Sequence, residues 1–388
     1  MRVFSCQWCG QRTFFLNVRC GQCGTMLGFL PGRMELYALH QAEGEDTPED
    51  PEDDVWAPVD LDVGGRFRRC GNWIDHDVCN WMVPAGLPDR LCTACRLNEV
   101  IPNLGDPGNL ERWGRIEAAK RRVVYNLLRL GLPVVPRTID PERGLAFRFM
   151  ADPPPDEGPP VMTGHAGGVV TVNVAEADDA VREQRRVTLG EPYRTLVGHL
   201  RHELGHYYWD RLVASGDEVL ERFRVLFGDE RHSYQDALQH HYDQGPPADW
   251  QDRFVTAYAT MHPWEDWAET WAHYIHMTAT LETAESMGLD VSDTSEAGEK
   301  GSPRLPLRAL RIGPFAHDHK PEAGSFDELL DRWLSLTLVL NELNRSMGLL
   351  DPYPFVLSAP AVGKLRFVYE VVSGEAGDDA EGGRSGSR

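Results

Sequence analysis

The sequence predicts an α+β protein in which small cysteine-held β modules precede a mainly helical domain. Three observations predict it. All eight cysteines of the 388-residue chain fall before residue 96, in two groups of four. Beyond residue 109 apolar residues recur with helical period through several long runs. Strand-like alternation is short and confined to stretches such as Leu145–Phe149.

Composition bounds the function. Hydrophobic residues make up 41% and charged residues 26%, ordinary for a soluble protein. The formal net charge of −21 repels nucleic-acid phosphates, so a DNA or RNA role needs a local basic patch. No run of 18 apolar residues spans a membrane, and MRVFSCQWCG is not a signal pattern. A cytoplasmic location is the expectation.

Residues 1–30 carry Cys6-x-x-Cys9-Gly10 and Cys20-x-x-Cys23-Gly24. Each pair directs two thiolates at one ion, and the glycine lets the backbone fold back beneath them. With Thr13–Leu16 as a strand between, the four cysteines predict a structural Zn²⁺ ribbon rather than disulfides. Residues 31–62, with the acidic stretch 41–58, read as a linker or long loop. A second module, 63–105, has Cys70, Cys79, Cys92 and Cys95 for a second structural Zn²⁺, with His76 as a possible substitute ligand. Trp73 and Trp81 are expected to shield it.

A helical domain is predicted over 106–287. Its first helix, Asn109–Leu130, buries Trp113, Ile116, Val123, Val124, Leu127 and Leu128; Lys120, Arg121 and Arg122 are read as its solvated face. Gly131 and Pro133 end it. His165–Val174 reads as one strand entered through glycines, either an exposed edge that pairs with an extended peptide or ordinary sheet. Helix 192–214, opened by Pro192, holds Arg201-His202-Glu203-Leu204-Gly205-His206. His202 and His206 lie one turn apart on one face and can converge on a single Zn²⁺ at about 2.0–2.1 Å. Glu203, about 100° around the helix, stands where a general base belongs.

Helices follow near 217–227 and 232–243, with His240 and His241 on the surface. His262-Pro263-Trp264-Glu265-Asp266-Trp267-Ala268-Glu269 then starts a tryptophan-lined helix. A catalytic zinc needs a third protein ligand and one open position. Glu265 can be that ligand, with Glu269 orienting a ligand histidine; the reverse, Glu269 as ligand with His273 one turn on, is also geometrically open. Residues 288–306 read as a mobile loop, 307–372 as the C-terminal helical part with a helix over Phe326–Met347, and 373–388 as a disordered tail.

CxxCG at 6–10 and 20–24, CNW at 79–81, CxxC at 92–95, RIEAAKRRVVYNLLRLGLP at 115–133, GEPYRTLVGHLRHELGHYYWD at 190–210 and HPWEDWAETWAHY at 262–274 carry a resemblance. Together they resemble the zinc-binding metallopeptidases with an N-terminal zinc-ribbon domain, over most of residues 1–372. Glu265-x-x-Ala268-Glu269-x-x-Ala272 is similar to the E-x-x-A-D-x-x-A helix of gluzincins. This resemblance implies a zincin-like domain, Glu265 as the third ligand and Glu269 behind a ligand histidine. Glu269 stands where gluzincins commonly have Asp.

The function implied is hydrolysis of peptide or isopeptide bonds by a water activated jointly by zinc and Glu203. His273, Tyr274 and Tyr258 are candidate oxyanion donors. One catalytic and two structural zinc ions are expected, with a peptide or protein substrate and a protein partner possible at the ribbon. The alternative is a zinc-stabilised adaptor whose ribbons bind a partner and whose His-Glu site does not turn over.

Overall fold

The computed structural model describes residues 2–42, 54–154, 156–189, 195–290, 311–312 and 325–374. The chain folds as two compact units, one of Val3–Tyr207 and the other from Tyr208 onward. Both helices and sheets contribute, as the α+β expectation requires.

In the first unit β1 (Phe4–Ser5) pairs antiparallel with β2 (Arg12–Thr13). The strand expected over Thr13–Leu16 stops at Thr13, because Asn17 closes a turn. Its Oδ1 accepts from Phe14 N at 2.7 Å, and its N donates to Phe14 O at 2.8 Å. Next come β3 (Met26–Leu30), β4 (Glu35–Gln41), β5 (Val55–Pro58), β6 (Phe67–Arg69), the short helix α1 (Gly71–His76) and β7 (Met82–Pro84). The five strands β3 to β7 form one antiparallel sheet in chain order.

This corrects the linker expected over 31–62. Residues 35–41 and 55–58 are strands, and β4 buries Leu36, Ala38 and Leu39. The acidic composition of the stretch hid that short apolar pattern; residues 43–53 lie outside the described set. Gly28 in β3 is required by packing, since a Cβ there would meet Leu39 Cδ1 and Met82 Cγ at 2.7 Å. Phe29 lies 5.1 Å from Phe15 and 4.8 Å from Trp81, so one aromatic core serves both cysteine groups.

β8 (Asn98–Val100) leads to α2 (Asn109–Arg129), which ends at Gly131 as the sequence indicates. The predicted solvated face of α2 is wrong at two positions. Lys120 is fully buried with its Nζ 2.8 Å from Glu117, and Arg121 is buried and bonded to Val78 O. Burial of such cations is affordable only with paired partners, and Glu117 together with the neighbouring cysteine group provides them.

β9 (Ala146–Met150), β10 (Gly164–Ala166) and β11 (Val169–Asn173) join β8 in a second sheet ordered β10-β11-β9-β8. The single strand expected over His165–Val174 is instead a hairpin. Gly167 and Gly168 both have positive φ, 53° and 82°, the geometry of a tight two-residue hairpin turn. β10 is the edge, while β11 is interior. A 3₁₀ turn at Val174–Ala177 and α3 (Asp179–Leu189) precede α4 (Leu196–Leu212).

α4 begins at Leu196, four residues after the expected start at Pro192. Thr195 Oγ1 accepts from Gly198 N at 2.9 Å and so caps the helix; residues 190–194 lie outside the described set.

In the second unit are α5 (Asp217–Phe227), α6 (Tyr234–Gln244), α7 (Pro263–Ser286), β12 (Leu289–Asp290), β13 (Arg311–Ile312), α8 (Phe326–Ser346) and α9 (Ala359–Ser373). α7 is its spine: Trp267 and Trp271 are fully buried, and Trp267 meets Phe227 of α5 and Phe367 of α9 at 6.0 and 6.1 Å. Lys364 of α9 places Nζ 2.5 Å from Asp266, both side chains buried. Residues 289–290, expected within a mobile loop, pair with 311–312; 291–306 and the tail 375–388 lie outside the described residues. Among the described residues no helix is long and apolar enough to cross a membrane.

Candidate metal centres

Gly10 and Gly24 each take φ +75°, and their amides donate to the carbonyls of Cys6 and Cys20 at 2.8 and 3.0 Å. The two knuckles thereby bring Cys6, Cys9, Cys20 and Cys23 together. Cys6 and Cys23 sulfurs lie 3.7 Å apart, and those of Cys9 and Cys20 3.6 Å. A disulfide needs about 2.05 Å, whereas four sulfurs about 2.3 Å from one tetrahedral zinc stand about 3.8 Å apart. The thiols are unbridged, and their spacing fits the ion.

The second group is Cys70, Cys79, Cys92 and Cys95, all buried. Sulfur separations are 3.8 Å for Cys79–Cys92 and 3.7 Å for Cys79–Cys95. Backbone amides support the sulfurs: Cys92 N lies 3.3 Å from Cys70 Sγ, and Trp81 N 3.4 Å from Cys79 Sγ. Four cysteines complete this group, so the substitute His76 is not needed; its ring packs on Trp113 at 5.5 Å.

The third set of candidate ligands is His202 and His206 on α4 and Glu265 on α7. α4 carries the two imidazoles, with ring centroids 5.0 Å apart. The same unbroken helix continues to Tyr208, stacked on Trp271 at 5.0 Å, and Trp209, edge-on to Trp264 at 6.4 Å. The last turns of α4 are therefore seated on α7, the helix that bears Glu265. Arg201 Nη2 also donates to Asn126 of α2 at 3.2 Å.

The start of α7 is built to fix Glu265. His262 Nδ1 accepts from Trp264 N at 3.1 Å as the N-cap, its Nε2 lies 3.1 Å from His232 O, and Pro263 takes the first helical turn. Glu265 is 2% exposed and Glu203 5%. Such carboxylates are costly to bury without partners. Tyr234 Oη donates to Glu265 Oε1 at 2.9 Å. Two imidazoles and a carboxylate are donor types that suit zinc and leave one position for water or substrate, and the residue types present fit that ion.

Residues 109–371 match the family described as "Putative zinc-binding metallo-peptidase". Residues 3–106 match a zinc-ribbon domain. Uncharacterized proteins of Mycobacterium tuberculosis strains H37Rv and CDC 1551 and of Mycobacterium bovis strain AF2122/97 are each 42% identical to this chain over 378 residues, covering 97% of it and 97% of each relative. The chain belongs to this metallopeptidase family. No solved structure matches it.

The zinc-ribbon match spans both cysteine groups, in line with the sheet that joins them. Within the metallopeptidase region the structure also places residues to which the sequence had given no role. His199 Nε2 lies 3.2 Å from Glu203 Oε1, and its Nδ1 lies 3.1 Å from Glu176 Oε2. Burial acts to raise the Glu203 pKa, but the His199 hydrogen bond and the charges of His199, His202 and His206 leave it below the usual value. For His199 burial acts downward, yet Glu176 and Glu203 bring it up to about 9. His165 of β10 lies 6.2 Å from the His206 ring, and burial, then His206, lower it to about 4.

The three candidate oxyanion donors separate. His273 Nδ1 is 3.2 Å from Tyr353 Oη with Phe355 at 4.4 Å, and Tyr274 lies beside Tyr369 at 6.5 Å. Tyr258 instead feels Glu265 and Tyr234: burial first, then the Glu265 charge, raise its phenol pKa. Glu269 lies one turn after Glu265, half-buried. Tyr234 and His199 carried only faint sequence signals, the latter being His199 one turn before Glu203.

Proposed function

We propose that the protein is a zinc-dependent peptidase that hydrolyses peptide or isopeptide bonds, with Glu203 as general base. The observation that carries this reading is the pair His202 and His206, 5.0 Å apart on α4 with the buried Glu203 beside them, and Glu265 is proposed as the third ligand. When bound there, zinc supplies a Lewis acid that polarises the scissile carbonyl and brings the pKa of a water to about 7. Glu203, whose Oε1 is held by His199, takes the proton of the attacking water. As the new C–O bond forms and the C–N bond breaks, the protonated Glu203 passes that proton to the leaving nitrogen.

Tyr258 is the proposed donor to the developing oxyanion, and Glu269 is proposed to orient a ligand histidine. The cysteine groups have four protein ligands each and no open position, so their proposed role is to stabilise the ribbon domain. Eight unbridged thiols suit a reducing cytoplasm. The fitting partners are a peptide or protein substrate and, at the ribbon, a protein that presents it. The net charge of −21 opposes nucleic acid.

The test compares new N-termini in cell extract treated with the native protein and with Glu203→Gln. The native protein should generate new termini; the variant should generate none while binding the same amount of zinc. Equal sets of new termini from both proteins would remove Glu203 from the reaction.

A further inference from the structure

We infer that His199, anchored by Glu176, is a positioning residue for the base Glu203; this rests on the reading of Glu203 as base. α4 places His199 one turn before Glu203, on the same face. The ring then stands between two carboxylates, 3.1 Å from Glu176 and 3.2 Å from Glu203. A neutral imidazole has one N–H and can donate to one of them; only the doubly protonated ring donates to both. Glu176 is 1% exposed and Glu203 5%, so neither carboxylate has water as an easy alternative.

The far end of this line is fixed by the backbone. Glu176 sits in the 3₁₀ turn after β11, where Asn173 Oδ1 accepts from Ala175 N at 2.9 Å. Asn173 is itself held, its Nδ2 donating to Asp152 Oδ1 at 2.7 Å and Val161 O at 3.1 Å. Arg182 Nη1 donates to the Glu176 carbonyl at 2.8 Å, and Thr163 Oγ1 lies 3.3 Å from Glu176 Oε1. Glu176 thus cannot follow His199; His199 must come to it, and Glu203 Oε1 is pinned in turn. Glu203 Oε2 is left for the proton of the reacting water. The ionisable groups around the line are Glu176, His202 and His206, with His165 facing Glu203 from β10.

The obvious bland role, a half-buried histidine that merely packs, predicts a different response to substitution. In the full-length zinc-loaded protein, labelled on histidine nitrogen, long-range ¹⁵N–¹H correlation should show both His199 nitrogens protonated at neutral pH. The signal is assigned by its loss in His199→Gln. Glu176→Gln, nearly isosteric, should return His199 to the neutral form. On a peptide cleaved by the native protein, His199→Gln and Glu176→Gln should each lower kcat by about 10–100-fold, the range for groups that orient a metal site's residues. KM and zinc content should stay unchanged, a split that loss of packing would not produce. A neutral native His199, or variants with native kcat, would overturn the inference. If His199 is doubly protonated but the native protein cleaves nothing, the clamp stands and the peptidase reading falls.

Discussion

Each of the two cysteine clusters brings four sulfur ligands together; the proposed site of His202, His206 and Glu265 would supply three. The supporting residues differ accordingly. Behind Cys70, Cys79, Cys92 and Cys95 stand amide donors to sulfur and a buried Arg121 that feels the charges of Cys79, Cys95 and Cys92. These groups neutralise and seal. Behind the open site stand side chains that aim carboxylates: Tyr234 on Glu265 and His199 on Glu203. A site built to hold metal is buttressed at its ligands, whereas a site built to react is also buttressed at a residue that binds no metal. That Glu203 receives such support favours the proposed peptidase over an adaptor with a relic site.

The largest expected effect breaks the comparison from the closed side. Structural zinc contributes on the order of 10 kcal/mol to folding in small modules. Cys92→Ser should therefore remove one zinc and expose residues 3–106 to limited proteolysis. His206→Ala should also lose one zinc yet keep that region protected; equal proteolysis of the two variants would erase the distinction. Next is Lys364→Met, which leaves Asp266 buried without its cation beside Glu265. Removing one partner of such a pair costs about 3–5 kcal/mol, to be read as a fall in denaturant midpoint.

Smaller is Tyr234→Phe, which deletes the donor to Glu265 Oε1 and should weaken zinc at the open site about 10–100-fold. Competition with a graded set of chelators measures it, and the closed sites should not respond. The smallest effect lies at a metal-free part of α7. Burial holds the His273 pKa down to about 4 from 6.5. The unfolded chain therefore binds that proton first as pH falls, so the stability from a neutral His273 is present above about 6.5 and lost towards 4. His273→Gln should flatten that part of the stability–pH curve in urea titrations; an unchanged slope between pH 6.5 and 4 would refute the assignment.

The legible parts of this molecule were local. Cys-x-x-Cys-Gly encodes its own turn, and His202, Glu203 and His206 are set by one helical turn. The long helices could be placed within a few residues because their periodicity is strong. Glu265 is 59 residues from His206, and resemblance rather than periodicity singled it out. Glu176 and Tyr234 reach the site only through tertiary folding, so no local pattern marks them. Lys120 and Arg121 looked solvated because their charge partners, Glu117 and a cysteine cluster, are visible only once α2 is packed. β4 and β5 were masked by acidic neighbours, and Gly167-Gly168 looked like the mouth of a strand rather than a hairpin turn.

The most direct test of one open and two closed sites is stepwise chelation of the native protein, with zinc release followed alongside fold and hydrolysis. Three zinc ions per chain are expected. One should leave first, taking hydrolysis with it while circular dichroism stays unchanged, and that early ion should be missing in His206→Ala. Release of all zinc in a single phase with loss of fold, or an early ion still present in His206→Ala, would contradict it.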